Sequence, residues 1–217
     1  VRELRFDYHD RIADVREQSL RVLSRAVDAT DAASRVLVAK GTSTDETGGD
    51  VEESQRIAAA VDAEVVALLA LESPVARDLR TILASRDVTQ IALLCAGLAA
   101  ALGDRVRRVA GSLTDELCGL GGEVGTRTVD LLRAAAAAWA GLDLELASDV
   151  PAEATRVRGV QTEFITALLG LRGVAMESAL DVAMVARAYE RLADHAVEVA
   201  ERVLFAVRGT PAPIPER

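Results

Sequence analysis

The chain has 217 residues, half of them hydrophobic but only 3% aromatic, with five prolines and two cysteines. That length can bury one sizeable core or two small ones. Its wealth of Ala, Leu, Val, Arg, Asp and Glu favours helices packed through small side chains over sheets, which need β-branched and aromatic surfaces. A net charge of -9 and a pI near 4.9 speak against non-specific nucleic-acid binding and against adhesion to an anionic membrane, since both need a basic field.

The opening VRELRFDYHDR is charged from its second residue and has no apolar signal segment. A first helix is expected over 3–28, with Ile12, Val15, Ser19, Val22, Leu23, Ala26 and Val27 on one side. Asp28 to Asp31 offers a stop and a new N-cap, so a second helix should begin near Asp31 or Ala32 and run to about Lys40. Residues 41–50 have the composition of a solvated loop, and helix resumes near Val51 or Glu52 as far as Leu71. Pro74 suits the first turn of a third helix, from Val75 at least to Leu102. Its apolar run from Ile91 to Leu102 is shorter than the roughly 20 residues of a bilayer span. A soluble, cytoplasmic protein with no direct membrane insertion is therefore expected. Its two cysteines, Cys95 and Cys118, would be reduced thiols, Cys95 packing as a small hydrophobe.

Glycines at 111, 119, 121, 122 and 125 weaken the stretch 103–125, so a turn is expected within it. The firm part of a fourth helix is 126–140, where Trp139 should anchor the core. Leu142-Asp143 opens a fifth helix that Pro151 either interrupts or restarts, with Leu168 and Leu169 near its end. After a turn at 170–173, a sixth helix runs from about Val174 to Arg208. It keeps Val182, Ala186, Tyr189, Ala193, Ala196, Ala200, Val203 and Val207 on one stripe and Arg187, Glu190, Arg191, Asp194, His195, Glu198, Glu201 and Arg202 on the opposite arc. Gly209 and the proline-rich residues 210–217 end it.

Six helices divide three and three, the third and sixth being the long ones. The fold class expected is all-α, two tandem three-helix bundles, with a first repeat at 1–108, a second at 109–209 and a flexible tail at 210–217.

The run Tyr189-Glu190-Arg191-Leu192-Ala193-Asp194-His195-Ala196, followed by Val199-Ala200-Glu201-Arg202-Val203, resembles the second-repeat signature of the PhoU family, in its actinobacterial wording. Residues 73–80, Ser-Pro-Val-Ala-Arg-Asp-Leu-Arg, resemble that family's entry to its third helix. The resemblance covers nearly the whole chain. It implies one continuous second helix, so that residues 41–50 read as an insertion. It also implies a non-catalytic negative regulator of phosphate homeostasis. Such an adaptor couples the ATPase of the phosphate ABC transporter (PstB-like) to the phosphate-sensing histidine kinase (PhoR-like), restraining uptake and two-component signalling when phosphate is plentiful. A homodimer would be ordinary for the family.

Glu190 and Asp194 lie one turn apart, a spacing that suits hard-cation ligation and equally a salt-bridged polar face with Arg187, Arg191 and Glu198. The resemblance links their motif to metal clusters, so no cofactor is required, but iron, zinc or another divalent metal is an alternative reading, as a storage or sensor protein. In the first repeat the corresponding stretch is Leu93-Leu94-Cys95-Ala96-Gly97, which has lost both carboxylates. His195 is expected as a surface histidine touching an acid, and His9 as an ordinary surface residue. Arg77, Asp78 and Arg80 pair with neighbours or join Arg187, Arg191, His195 and Glu198 in a partner-binding surface. Neither histidine follows a glutamate by three residues, no nucleophile elbow is present, and no glycine-rich loop follows a strand. The sequence therefore points away from an enzyme.

Overall fold

A computed structural model describes residues 2–41, 51–170 and 175–209, with side chains from residue 8 onward. The sequence-predicted tail at 210–217, nearly all of the 41–50 segment and most of the 170–173 turn lie outside the described residues. Among the described residues there are six long helices and no strand: α1 (Arg2–Val38), α2 (Val51–Glu72), α3 (Ala76–Val109), α4 (Asp115–Gly141), α5 (Leu144–Gly170) and α6 (Met176–Arg208). A 3-10 turn (Ala110–Ser112) joins α3 to α4. The all-α, two-triplet architecture expected from the sequence is the one observed. Helices α1, α2 and α3 pack on one another, as do α4, α5 and α6. The triplets join where α3 lies along α6 and α1 along α4, leaving α2 and α5 outside.

Helix α1 corrects the expected break at Asp28–Asp31 by running through it without interruption. Polar residues end helices when their side chains compete for the backbone, but here those groups are satisfied within the helix. Thr30 Oγ1 donates to the Ala26 carbonyl at 2.7 Å, and Asp31 takes Arg35 at 2.6 Å and Arg133 of α4 at 3.1 Å. Ala29, Ala32 and Ala33 are buried, so tertiary packing overrides the local stop signal. The helix ends instead at Val38, and Lys40 just beyond it takes the left-handed region at φ 52°. The Gly41 amide donates to the Val36 carbonyl and the Lys40 amide to that of Leu37, a Schellman closure. The polar segment after it is thus the connection between α1 and α2, not an insertion into one helix. Helix α4 closes in the same way, with Leu142 at φ 49° and the Asp143 and Leu142 amides donating to the Ala138 and Trp139 carbonyls. Asp143 then caps α5, its Oδ1 accepting from the Glu145 and Leu146 amides.

Three further boundaries differ from expectation. Pro74 sits in the extended linker before α3 instead of in its first turn, and Val75 is the N-cap. Pro151 neither interrupts nor restarts α5; it is exposed within a continuous helix, where one lost hydrogen bond is tolerated. The weak region 103–125 does contain a turn, at 110–114, yet Gly119 to Gly125 all lie inside α4, whose N-cap Thr114 accepts from the Leu117 amide at 3.3 Å. The reason is a close approach. A Cβ on Gly125 would stand 2.6 Å from Ser34 Oγ and 2.9 Å from Tyr189 Oη, and one on Gly121 2.8 Å from Leu37 Cδ2. Glycine costs helix stability locally and repays it by letting the end of α1 nest against α4.

The core is continuous through both triplets. Trp139, Tyr189 and Phe164 are its largest fully buried side chains, each contributing about 2–3 kcal/mol by burial. Their polar ends are satisfied: Trp139 Nε1 donates to Ser19 Oγ at 2.8 Å, and Tyr189 Oη bonds Ser34 Oγ at 3.0 Å. Burial pushes the Tyr189 phenol up to about 12. Cys95 and Cys118 are both free, as expected, and Cys95 is packed in the core as its apolar surroundings implied; Cys118 is buried as well. The segment from α3 through the 3-10 turn is long and apolar enough to cross a membrane by length and composition. In this fold it packs against α1, α2 and α6.

Two kinds of glycine substitution should therefore behave oppositely. Gly125→Ala should destabilise by about 1–3 kcal/mol, because the new methyl overpacks the Ser34–Tyr189 pair. Gly159→Ala, where a Cβ meets nothing within 4 Å, should stabilise by about 0.5–1 kcal/mol. Urea denaturation of both variants checks the sign.

Candidate functional site

Helix α6 contacts α3, α4 and α5, which is why it buries more than the stripe read from its sequence. Seven of the eight stripe positions are buried and Val207 is half-buried. Between Arg187 and Asp194 it leaves a strip of charge to solvent, while nearer its start Met176, Leu180 and Met184 are exposed. Arg187 Nη1 donates to Glu190 at 2.6 Å, and Arg158 of α5 holds Asp194 at 2.9 Å. Arg187 and Arg191 are exposed, Glu190 and Asp194 half-exposed. The Glu190 carboxylate beside it raises the pKa of Arg187 above the ordinary arginine value.

His195 corrects the expectation of a surface histidine, for it is only 3% exposed. Its acidic neighbour is real: Nδ1 lies 3.0 Å from Glu198 Oε2, while Nε2 is buried with no hydrogen-bond partner among the described residues. The hydrogen bond to His195, with the charges of Arg191 and Arg202, holds the Glu198 carboxyl below the usual carboxylate range. Glu201 moves the other way, because burial opposes its charged form. Arg202, expected on the open arc, is half-buried and reaches across to Asp87 of α3 at 3.2 Å. At the other end of the same seam, Arg108 of α3 grips Asp181 of α6 with two bonds of 2.8 and 3.0 Å and lowers its pKa.

The structure separates the remaining predicted residues from this strip. Asp78 accepts from Tyr8 of α1 at 3.2 Å, and Arg80 Nε donates to the Ala206 carbonyl at 3.4 Å, with its side chain against Gly209. Arg77 is exposed beside them. By the rise of an α-helix this group lies roughly 20 Å along α6 from Arg191. Arg158 and Asp87, the cross-helix partners that fix Asp194 and Arg202, gave no sequence signal because both contacts are made between helices.

A family model described as the PhoU domain matches residues 122–203, which lie within α4 to α6. The phosphate-specific transport system accessory protein PhoU homolog 2 of Mycobacterium tuberculosis is 30% identical over 214 residues, spanning 95% of this chain and 99% of its own; its Mycobacterium bovis counterpart matches equally. The chain belongs to the PhoU family. PhoU homolog 1 of Mycobacterium leprae is 29% identical over 213 residues. The crystal structures of PhoU from Pseudomonas aeruginosa (TM-score 0.81, 21% identity, 94% of this chain and 100% of that one) and from Streptococcus pneumoniae (0.83, 14%, 95% and 100%) have the same fold.

The PhoU resemblance raised a metal at Glu190 and Asp194, and the donors present do not fit a cluster. Each carboxylate is already held by a guanidinium, and among the described residues no three His, Cys, Asp or Glu side chains gather as a metal would need. Positions 93 and 97 on α3 supply leucine and glycine. Protein purified without added metal should carry no stoichiometric iron or zinc by elemental analysis.

The two shifted glutamates give a second test. Glu198 stabilises the fold above its unfolded pKa, near the reference 4.5, and loses that contribution as pH falls through its lowered folded value. Glu201 does the reverse: its cost is absent in acid and appears as pH rises through its raised folded value. Glu198→Gln should lower the melting temperature at neutral pH and Glu201→Gln should raise it. Both differences should shrink below about pH 4, as melts across a pH series would read.

Proposed function

We propose that this chain is a non-catalytic cytoplasmic adaptor of phosphate homeostasis. It would link the ATPase of the phosphate ABC transporter to the phosphate-sensing histidine kinase and favour the non-signalling kinase state when phosphate is plentiful. The observation that carries this reading is the strip on α6. Arg187, Glu190, Arg191 and Asp194 stay at the surface of a helix whose other sides are buried, as a mixed-charge platform on a rigid support. Such a platform suits recognition by a complementary protein surface, where rim charges steer encounter and set specificity. The accessory-protein names of full-length relatives point the same way. Mechanistically, the adaptor acts by population shift: it must bind one state of the kinase or ATPase better than the other, and its effect is limited to that difference. A homodimer is part of this reading.

The test is capture of the cognate kinase's cytoplasmic part and of the transporter ATPase by the purified chain. Arg187→Glu with Arg191→Glu should weaken capture at least about tenfold, mainly through the association rate and more strongly at low salt. The melting temperature should change little, because exposed ion pairs contribute about 0–1 kcal/mol. Undiminished capture by the folded double variant would move the docking surface elsewhere, and absence of capture of either partner would sink the adaptor.

A further inference from the structure

The face of α3 that lacks the carboxylates is not simply blank. Leu94 is 55% exposed, and Leu93 and Ala101 beside it are half-exposed. Gly97, also exposed, lies between them, and a Cβ built on it would meet nothing within 4 Å. Nothing among the described residues requires a glycine there, although glycine is the poorest helix former after proline. A bare backbone next to an exposed leucine is what a second helix needs for close approach.

The charges flanking this patch identify the occupant. Arg86 and Asp104 are both exposed and stand about five helical turns apart, so they lie along one line of α3 with Gly97 close to that line. They are nearly equidistant from the midpoint between Leu94 and Gly97, about 14 Å and about 13 Å away along the helix. A two-fold axis through that midpoint sets Leu94 against Gly97 of the second copy and Arg86 against Asp104 of the second copy, twice over. Residues that meet reciprocally in this way are the mark of an isologous interface. Within the chain Arg86 already pairs with Asp62 at 3.0 Å, so the second carboxylate would extend an existing ion pair.

We propose that this α3 face, centred on Leu94 and Gly97, is the surface through which two copies of the chain associate, antiparallel, with reciprocal Arg86–Asp104 pairs. The proposal rests on the reading of the chain as a self-associating subunit and adds where the copies meet. It places the dimer contact where the first repeat has lost its acidic motif and leaves the charged strip of α6 for other proteins.

Sedimentation velocity of the full chain over a wide concentration range tests it. The wild type should dimerise, and Gly97→Leu should weaken the dimer on the order of tenfold or more while its thermal melt stays level or rises. Arg86→Asp and Asp104→Arg should each be monomeric alone, through like charges facing across the axis. Mixed, they should form a heterodimer, since both pairs are then opposite in sign. A dimer untouched by Gly97→Leu, or a mixture no tighter than either charge variant alone, overturns this surface and keeps self-association. A monomeric wild type overturns both. Were Gly97→Leu to misfold, the charge-variant mixture decides the matter by itself.

Discussion

The antiparallel seam between α3 and α6 is the constraint on which the remaining structure depends. Two ion pairs set its register, Asp87 with Arg202 and Arg108 with Asp181. Counting inward equally from both brings the stretch around Ala96 level with that around Ala193. Both are buried, as are Ala92, Ala99, Ala196 and Ala200, so the two longest signature helices meet through methyl groups. Small side chains along a crossing let helix axes come close, and every larger residue must then fill space to either side. Tyr189 and Trp139 do so, and each finds a hydroxyl on α1 for its polar end. The seam, with the α1–α4 contact beside it, makes two triplets into one body with one core.

That arrangement gives α6 two roles. Three neighbouring helices bury most of its circumference, including His195 and half of Glu198; a narrow charged strip from Arg187 to Asp194 remains outside, with Met176, Leu180 and Met184 exposed nearer the helix start. A strip on such a support has little freedom to rearrange. Under the adaptor reading the conformational choice therefore belongs to the partner, and the chain contributes differential affinity in place of a switch of its own. The pKa values of Glu198 and Glu201, one helical turn apart, move in opposite directions because His195 hydrogen-bonds Glu198 and not Glu201, while burial opposes the charged form of both.

The two halves share architecture more closely than chemistry. Helices α1 and α4 end in the same left-handed closure, and α2 and α5 flank their triplets alike. At the positions matching Glu190 and Asp194, however, α3 offers Leu93 and Gly97. A duplicated frame tolerates this because those positions face outward, so their side chains are released from the packing that fixes Ala96 and Cys95 just beneath.

The sequence by itself determined the helical class, the division into triplets and the buried stripe of α6, because a 3.6-residue apolar period survives in the chain whatever it packs against. Trp139 as a core anchor and Cys95 as a packed thiol were legible from residue type and apolar surroundings, and the PhoU signature from its resemblance to a known run of residues. Tertiary structure decided what depends on neighbours. Helix α1 runs past Asp28–Asp31 because Thr30 and Asp31 find partners within and across helices, and α4 absorbs its glycines because α1 lies close against them. Burial of His195 and the cross-helix bonds came from the helices packed around α6, with α5 supplying Arg158 and α3 supplying Asp87. A periodic pattern fixes which residues share a helix face, but how much of that face is covered depends on how many helices the fold places around it.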